Sequence, residues 1–150
     1  KVFAPIYGSG PGREQLETWG HGYVALWNAG DKPAWVQNWK DVAPNGFRMF
    51  DPVGTPEKRG FEEAASKAYD LFQPAIHYVV PEATKFICGS EVAWVMENHF
   101  RVDGQTILLR SIENFRFDPD GSVSIRTFYD VPKPDSPLGR LFQVDLPGLG

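Results

Sequence analysis

Asp51, Tyr23 and Glu113 are the residues whose type and setting could do chemistry, and that chemistry would be proton transfer. Asp51 opens the run Asp51-Pro52-Val53-Gly54, in which the proline holds the aspartate extended at the end of a short apolar stretch, Phe47–Phe50. An aspartate before proline commonly does no more than form a turn, so a catalytic role for it depends on what else the chain brings near. Glu113 alternates in phase with Leu109, Ser111, Phe115 and Phe117, which puts a carboxylate on the apolar face of a strand. Burial there is costly, and function is the better explanation. Tyr23 falls on the buried face of a helix, where a tyrosine is an ordinary core residue unless its hydroxyl is used. His21, His77 and His99 have no metal-binding spacing to one another or to a carboxylate, and no metal is expected. Cys88, the single cysteine, can form neither an internal disulfide nor a thiolate site.

The elements that must hold these side chains are outlined by apolar spacing. Leu16, Trp19, Tyr23, Leu26 and Trp27 recur at three- and four-residue steps and predict a helix over roughly 13–28. Gly20 and Gly22 inside it mark either close packing or a break before Tyr23. Asp31 can cap a second short helix, with Pro33 in its first turn and Trp35, Val36 and Trp39 on its buried side, ended by Pro44-Asn45-Gly46. A third helix is predicted over 61–72 and closed by Pro74. From Ile76 the period becomes that of strands, over 76–80, 84–88, 91–102, 106–117 and 122–131. Asp103-Gly104 fits a primed hairpin turn, and Asp118-Pro119-Asp120-Gly121 a type I turn followed by a left-handed glycine. The Gly/Pro-rich residues 1–12 read as a flexible arm, and the proline-rich residues 132–150 as a tail with neither helix nor strand. Helices first and a meander afterwards predict an α+β fold, in which a curved antiparallel sheet wraps on three N-terminal helices and forms a conical cavity.

The chain's 150 residues suit a single domain, and 42% hydrophobic with 23% charged residues is the balance of a globular protein rather than a disordered or fibrous one. A net charge of −4 leaves no cationic excess for phosphates, so neither nucleic acid nor a membrane surface is the expected partner. No apolar run approaches the roughly 18–20 residues of a membrane span, and the cytoplasm is the default location. The surplus is aromatic: 14% of the chain, with five Trp and eleven Phe, exceeds what a small core needs. It predicts an apolar cavity for an apolar or aromatic small molecule.

Three segments resemble the motifs of bacterial ketosteroid isomerases in order and spacing. They are Tyr23-Val-Ala-Leu-Trp-Asn-Ala-Gly30-Asp31, Asp51-Pro-Val-Gly54 with Gly60 beyond it, and Ile112-Glu-Asn-Phe-Arg-Phe-Asp118 with Gly121. The likeness spans roughly residues 23–130, and it extends to the wider nuclear-transport-factor-like superfamily with its SnoaL-like polyketide cyclases. It implies that Asp51 takes a proton beside a carbonyl, that Tyr23 donates to the enolate, and that a protonated Glu113 is the second donor, one methylene longer than the family's aspartic acid. It implies an α+β barrel, no cofactor, and a homodimer or higher homo-oligomer. It also turns Asn98, Phe100, Phe115, Phe128 and Asp130 into the cavity along with Trp39, Trp94 and Met96, and it sets Arg126 almost opposite Glu113. A guanidinium there would hold Glu113 ionised. Counting strictly through the turn at 118–121 instead pairs Glu113 with Thr127 and points Arg126 outward. The expected function is a cofactor-independent isomerase acting through Asp51. The alternatives are a lyase or dehydratase on a hydroxylated aromatic substrate if Arg126 engages Glu113, or a module that binds a steroid or phenol without converting it.

Overall fold

A computed structural model describes the backbone of residues 10–145 and the side chains of residues 10–142, so most of the arm expected over 1–12 and the last part of the tail lie outside the described residues. Helix α1, Arg13–Ala29, runs unbroken through both glycines. A Cβ on Gly22 would lie 2.9 Å from Asn38 Oδ1, and one on Gly20 would lie 3.3 Å from the Trp94 ring, so the glycines mark close packing. Gly30 ends the helix in the left-handed region (φ 73°), the usual stop for a helix that turns back on itself. Helix α2, Lys32–Val42, starts where the Asp31 side chain accepts from Ala34 N at 3.1 Å. Asn38 Nδ2 on α2 donates to Trp19 O on α1 at 3.0 Å, tying the pair together. A π-helical segment, Phe61–Ser66, leads into α3, Lys67–Phe72, where the sequence predicts one regular helix.

Among the described residues, seven strands follow one another as β1 Gly46–Phe50, β2 Lys58–Arg59, β3 Ile76–Val79, β4 Phe86–Cys88, β5 Glu91–Val102, β6 Gln105–Phe117 and β7 Ser122–Phe128. They form one sheet in the order β2-β1-β7-β6-β5-β3, with β4 also paired to β5. Every pairing is antiparallel except that of β1 with β7, so the expected antiparallel sheet gains one parallel neighbour from far away in sequence. The turns behave as their residues require. Asp103 and Gly104 both take positive φ (52° and 73°), as a type I′ hairpin demands, and Gly121 takes φ 83°. The sheet's inner face carries Phe47 and Met49, Val92, Trp94 and Met96, Phe115 and Phe117, and Val123 and Ile125, all buried against α1 and α2. All five tryptophans are in this core, with Trp19 stacked on Trp94 at 5.5 Å and Trp27 on Tyr78 at 4.3 Å.

The proline-rich tail is not without structure: Pro137–Asp145 forms helix α4. Pro137 occupies the first helical position, where a missing N–H costs nothing, and Ser136 Oγ caps the turn by accepting from Gly139 N at 3.0 Å. Leu138 and Phe142 are buried on Phe100 in a second, smaller apolar cluster. The Phe142 ring lies 5.9 Å from Phe72 and 5.8 Å from Tyr129, which lays α4 across one end of the sheet. No helix among the described residues is long and apolar enough to cross a membrane.

Candidate functional site

The concave face of the sheet and helices α1–α3 enclose a cavity of about 100 Å³, walled mostly by aromatic rings. Asp51 enters it because it continues the inward phase of Phe47 and Met49 beyond the end of β1. The turn that follows is fixed by Val53 N, which donates to Thr127 O at 2.9 Å, and by Thr55 Oγ1, which donates to Pro52 O at 2.6 Å. Burial pushes the Asp51 carboxyl above its ordinary value of 3.8, while the Lys58 ammonium and the Tyr129 hydroxyl act in the opposite direction by favouring the anion.

Glu113 sits inward on β6, only 7% exposed, opposite Trp94 on β5 and Thr127 on β7. Burial is the chief cause that pushes its carboxyl from 4.5 to about 8, and the Asp51 charge adds to it. Ser111 and Trp94 favour the anion but do not overcome these effects. The hydrogen bonds around it have a direction. Asn98 Nδ2 donates to Leu109 O at 2.8 Å and to Ser111 Oγ at 3.0 Å, and Ser111 Oγ donates to Glu113 Oε1 at 3.3 Å. With Oε1 engaged as an acceptor, the acid proton of neutral Glu113 belongs on Oε2.

Tyr23 on α1 stacks on Tyr78 of β3 with ring centroids 5.6 Å apart and planes 3° apart. Burial pushes both hydroxyls well above their ordinary value, with Tyr78 and then Glu113 adding to the effect on Tyr23, and Glu113 to that on Tyr78. Tyr129, just beyond β7, is raised by burial and by the Asp51 charge it faces. At neutral pH the cavity thus presents phenol hydroxyls and a neutral carboxylic acid as donors beside the Asp51 carboxyl.

Trp39, Asn98, Phe100 and Phe115 line the cavity together with Asp51, Tyr23 and Glu113. Trp94 and Met96 point inward but are buried in the core and do not reach the wall. Arg126, Phe128 and Asp130 do not face the cavity at all. The β6–β7 register runs without a bulge and pairs Glu113 with Thr127 and Asn114 with Arg126, so strict alternation sends Arg126 and Phe128 outward. The exposed guanidinium lies over Phe50 and Phe128 at 5.7 and 5.9 Å, and Thr127 takes the inward place that the resemblance gave to Arg126. Tyr78, Ser111, Thr127, Tyr129 and Lys58 are wall residues not singled out as site residues from the sequence. Ser111 and Tyr78 carry a period-two signal; Lys58 lies on a two-residue strand with none. Among the described residues no group of three or more His, Cys, Asp or Glu side chains could hold a metal ion.

No family model and no curated protein matches the sequence. Solved structures do match it. The epoxide hydrolase/cyclase-like enzyme SalBIII, described with a role in pyran ring formation in the polyether salinomycin, is 19% identical with a TM-score of 0.63, over 79% of this chain and 93% of that one. A putative SnoaL-like polyketide cyclase from Jannaschia sp. CCS1 is 19% identical with a TM-score of 0.62, over 87% of this chain and 91% of that one. A SnoaL-like protein of unknown function from Burkholderia thailandensis E264 is 20% identical with a TM-score of 0.57, over 85% and 99%. At such identities the likeness shows the SnoaL-like α+β fold, which hosts more than one chemistry.

Proposed function

We propose that the protein is a cofactor-independent enzyme that moves a proton on a small cyclic or aromatic substrate bearing a carbonyl or hydroxyl. The observation that carries this reading is one apolar cavity holding two carboxyl groups in unlike surroundings. Asp51 faces an ammonium and a phenol, whereas Glu113 faces no cation and stays neutral up to about pH 8. Such a pair divides into a base and an acid at neutral pH. Asp51 takes a proton from the carbon beside a carbonyl, and the electron pair of the broken C–H bond moves toward the oxygen. Glu113 and Tyr23 donate hydrogen bonds to the resulting enolate, and Asp51 returns the proton to another carbon. Donors already oriented in a dry site are worth ~3–4 kcal/mol each in comparable enzymes.

A cavity of about 100 Å³ falls short of the roughly 300–1,000 Å³ of pockets for drug-sized ligands, which favours a substrate of one or two rings over a steroid. The same base and acid could deprotonate an attacking hydroxyl while protonating a leaving oxygen. That supports ring closure or epoxide opening as the second reading, in line with the names of the SnoaL-like and SalBIII structures. A dehydratase reading built on an Arg126–Glu113 pair has no support, because the strand register separates the two faces.

The test is conversion of a β,γ-unsaturated cyclohexenone to its conjugated isomer, followed by ultraviolet absorbance and by deuterium entry in heavy water. The expected result is turnover that falls ~10²–10⁴-fold in Asp51→Asn. Undiminished turnover in that variant removes Asp51 from the mechanism. Binding without turnover or deuterium entry, for this ketone and for hydroxy-epoxides, makes the protein a binding module.

A further inference from the structure

Lys58 has no part in the reaction just described, yet it is the one cationic side chain on the cavity wall among the described residues. Its strand is held against β1 with Met49 opposite Lys58 and Arg48 opposite Arg59, and Gly60 N donates to Phe47 O at 2.8 Å just beyond it. Strand alternation therefore puts Lys58 on the inner face with Met49 and leaves Arg59 on the outer face with Arg48. The outer charges satisfy one another: Arg48 lies 3.7 Å from Glu57, and Arg59 also pairs with Glu57. Lys58 forms no ion pair within 4.0 Å among the described residues. It faces the cavity with Asp51 as the anion it acts on.

We infer that Lys58 is a positioning residue for the base, an inward ammonium whose charge favours the ionised form of Asp51 before substrate binds. Lys58 is one of two groups that act on Asp51. Tyr129 after β7 is the other, and the groups that the Asp51 charge reaches in turn are Glu113 on β6, Tyr23 on α1 and Tyr78 on β3, none of them positive. Lys58 supplies the only positive charge among the described wall residues, and with the Tyr129 hydroxyl it offsets the cost of holding a carboxylate away from water. With Glu113 neutral, Asp51 and Lys58 leave the cavity without net charge. Removing a proton from a neutral substrate preserves that balance, because the new oxyanion replaces the Asp51 charge while Lys58 stays in place. The site therefore selects neutral carbon acids over carboxylates.

This inference rests on Asp51 as the base, but its test needs no turnover. Protein labelled with ¹³C at the aspartate carboxyls is titrated by NMR, with the Asp51 resonance assigned by its absence in Asp51→Asn. Lys58→Met raises the Asp51 midpoint by about one pH unit, and Lys58→Arg holds it at the wild-type position. Lys58→Gln, smaller and polar, repeats the measurement if circular dichroism shows that the methionine variant has lost its fold. An unmoved midpoint in the neutral variants, or an Arg variant displaced as far as they are, overturns the role of Lys58 and leaves the base untouched. Conversely, retained turnover in Asp51→Asn would defeat the base without altering the titration.

Discussion

Glu113 is the side chain whose protonation state reaches stability and, in the proposed reaction, turnover. Because burial raises its carboxyl from 4.5 to about 8, the native state binds this proton more tightly than the unfolded chain does. Stability from this group is thus fully present below about pH 4.5 and is lost as pH rises through about 8. Glu113→Gln keeps an acceptor for Ser111 and a donor for substrate but cannot ionise. Its melting temperature relative to wild type should climb between about pH 5 and pH 9, as measured by calorimetry; a constant difference would mean that Glu113 is already ionised in the native protein. In turnover, kcat/KM should rise from acid as Asp51 loses a proton held above its ordinary range, then fall above about pH 8 as Glu113 ionises. The glutamine variant should lose the alkaline fall alone. Of these residues, the inward setting of Tyr23 and Glu113 was legible in apolar periodicity, whereas Asp51 was singled out by the resemblance carried by Asp51-Pro52-Val53-Gly54. Arg126 was misplaced by the resemblance, and only the pairing of Thr127 with Glu113 decides its direction.

At the scale of elements, whatever depends on local chemistry was legible and whatever depends on distant partners was not. The capped start of α2 and the two hairpin turns follow from a few adjacent residues. The two-residue β2 exists only through its pairing with β1, and the parallel β1–β7 contact joins segments far apart in sequence that carry no mark of each other. Helix α4 was hidden by prolines that in fact precede or begin it. Its seat is tight: a Cβ on Gly139 would lie 1.8 Å from Lys133 O, a backbone atom that cannot swing aside. Gly139→Ala should therefore lift α4 and with it Phe142, costing about 1–3 kcal/mol in urea unfolding. Apolar dye should then bind to the uncovered Phe100 end, and wild-type stability with no dye binding would show that α4 does not cover it.

Over the whole molecule, the aromatic surplus serves core and cavity together. All five tryptophans belong to one buried cluster, shared by helices and sheet, that also walls the site. Unfolding followed by tryptophan fluorescence and by far-ultraviolet circular dichroism should give one superimposable transition; separated midpoints would divide the cluster into independent units. The single parallel pairing has a further effect, on the timing of assembly. Asp51 directly follows β1, whose neighbour toward the middle of the sheet is β7, the last strand along the described residues. A nascent chain can complete α1 to α3 and its long hairpin while Asp51 still hangs beside an open edge, and such distant closures form late. Under the proposed function, proton transfer is thereby withheld until the sheet has closed on β1.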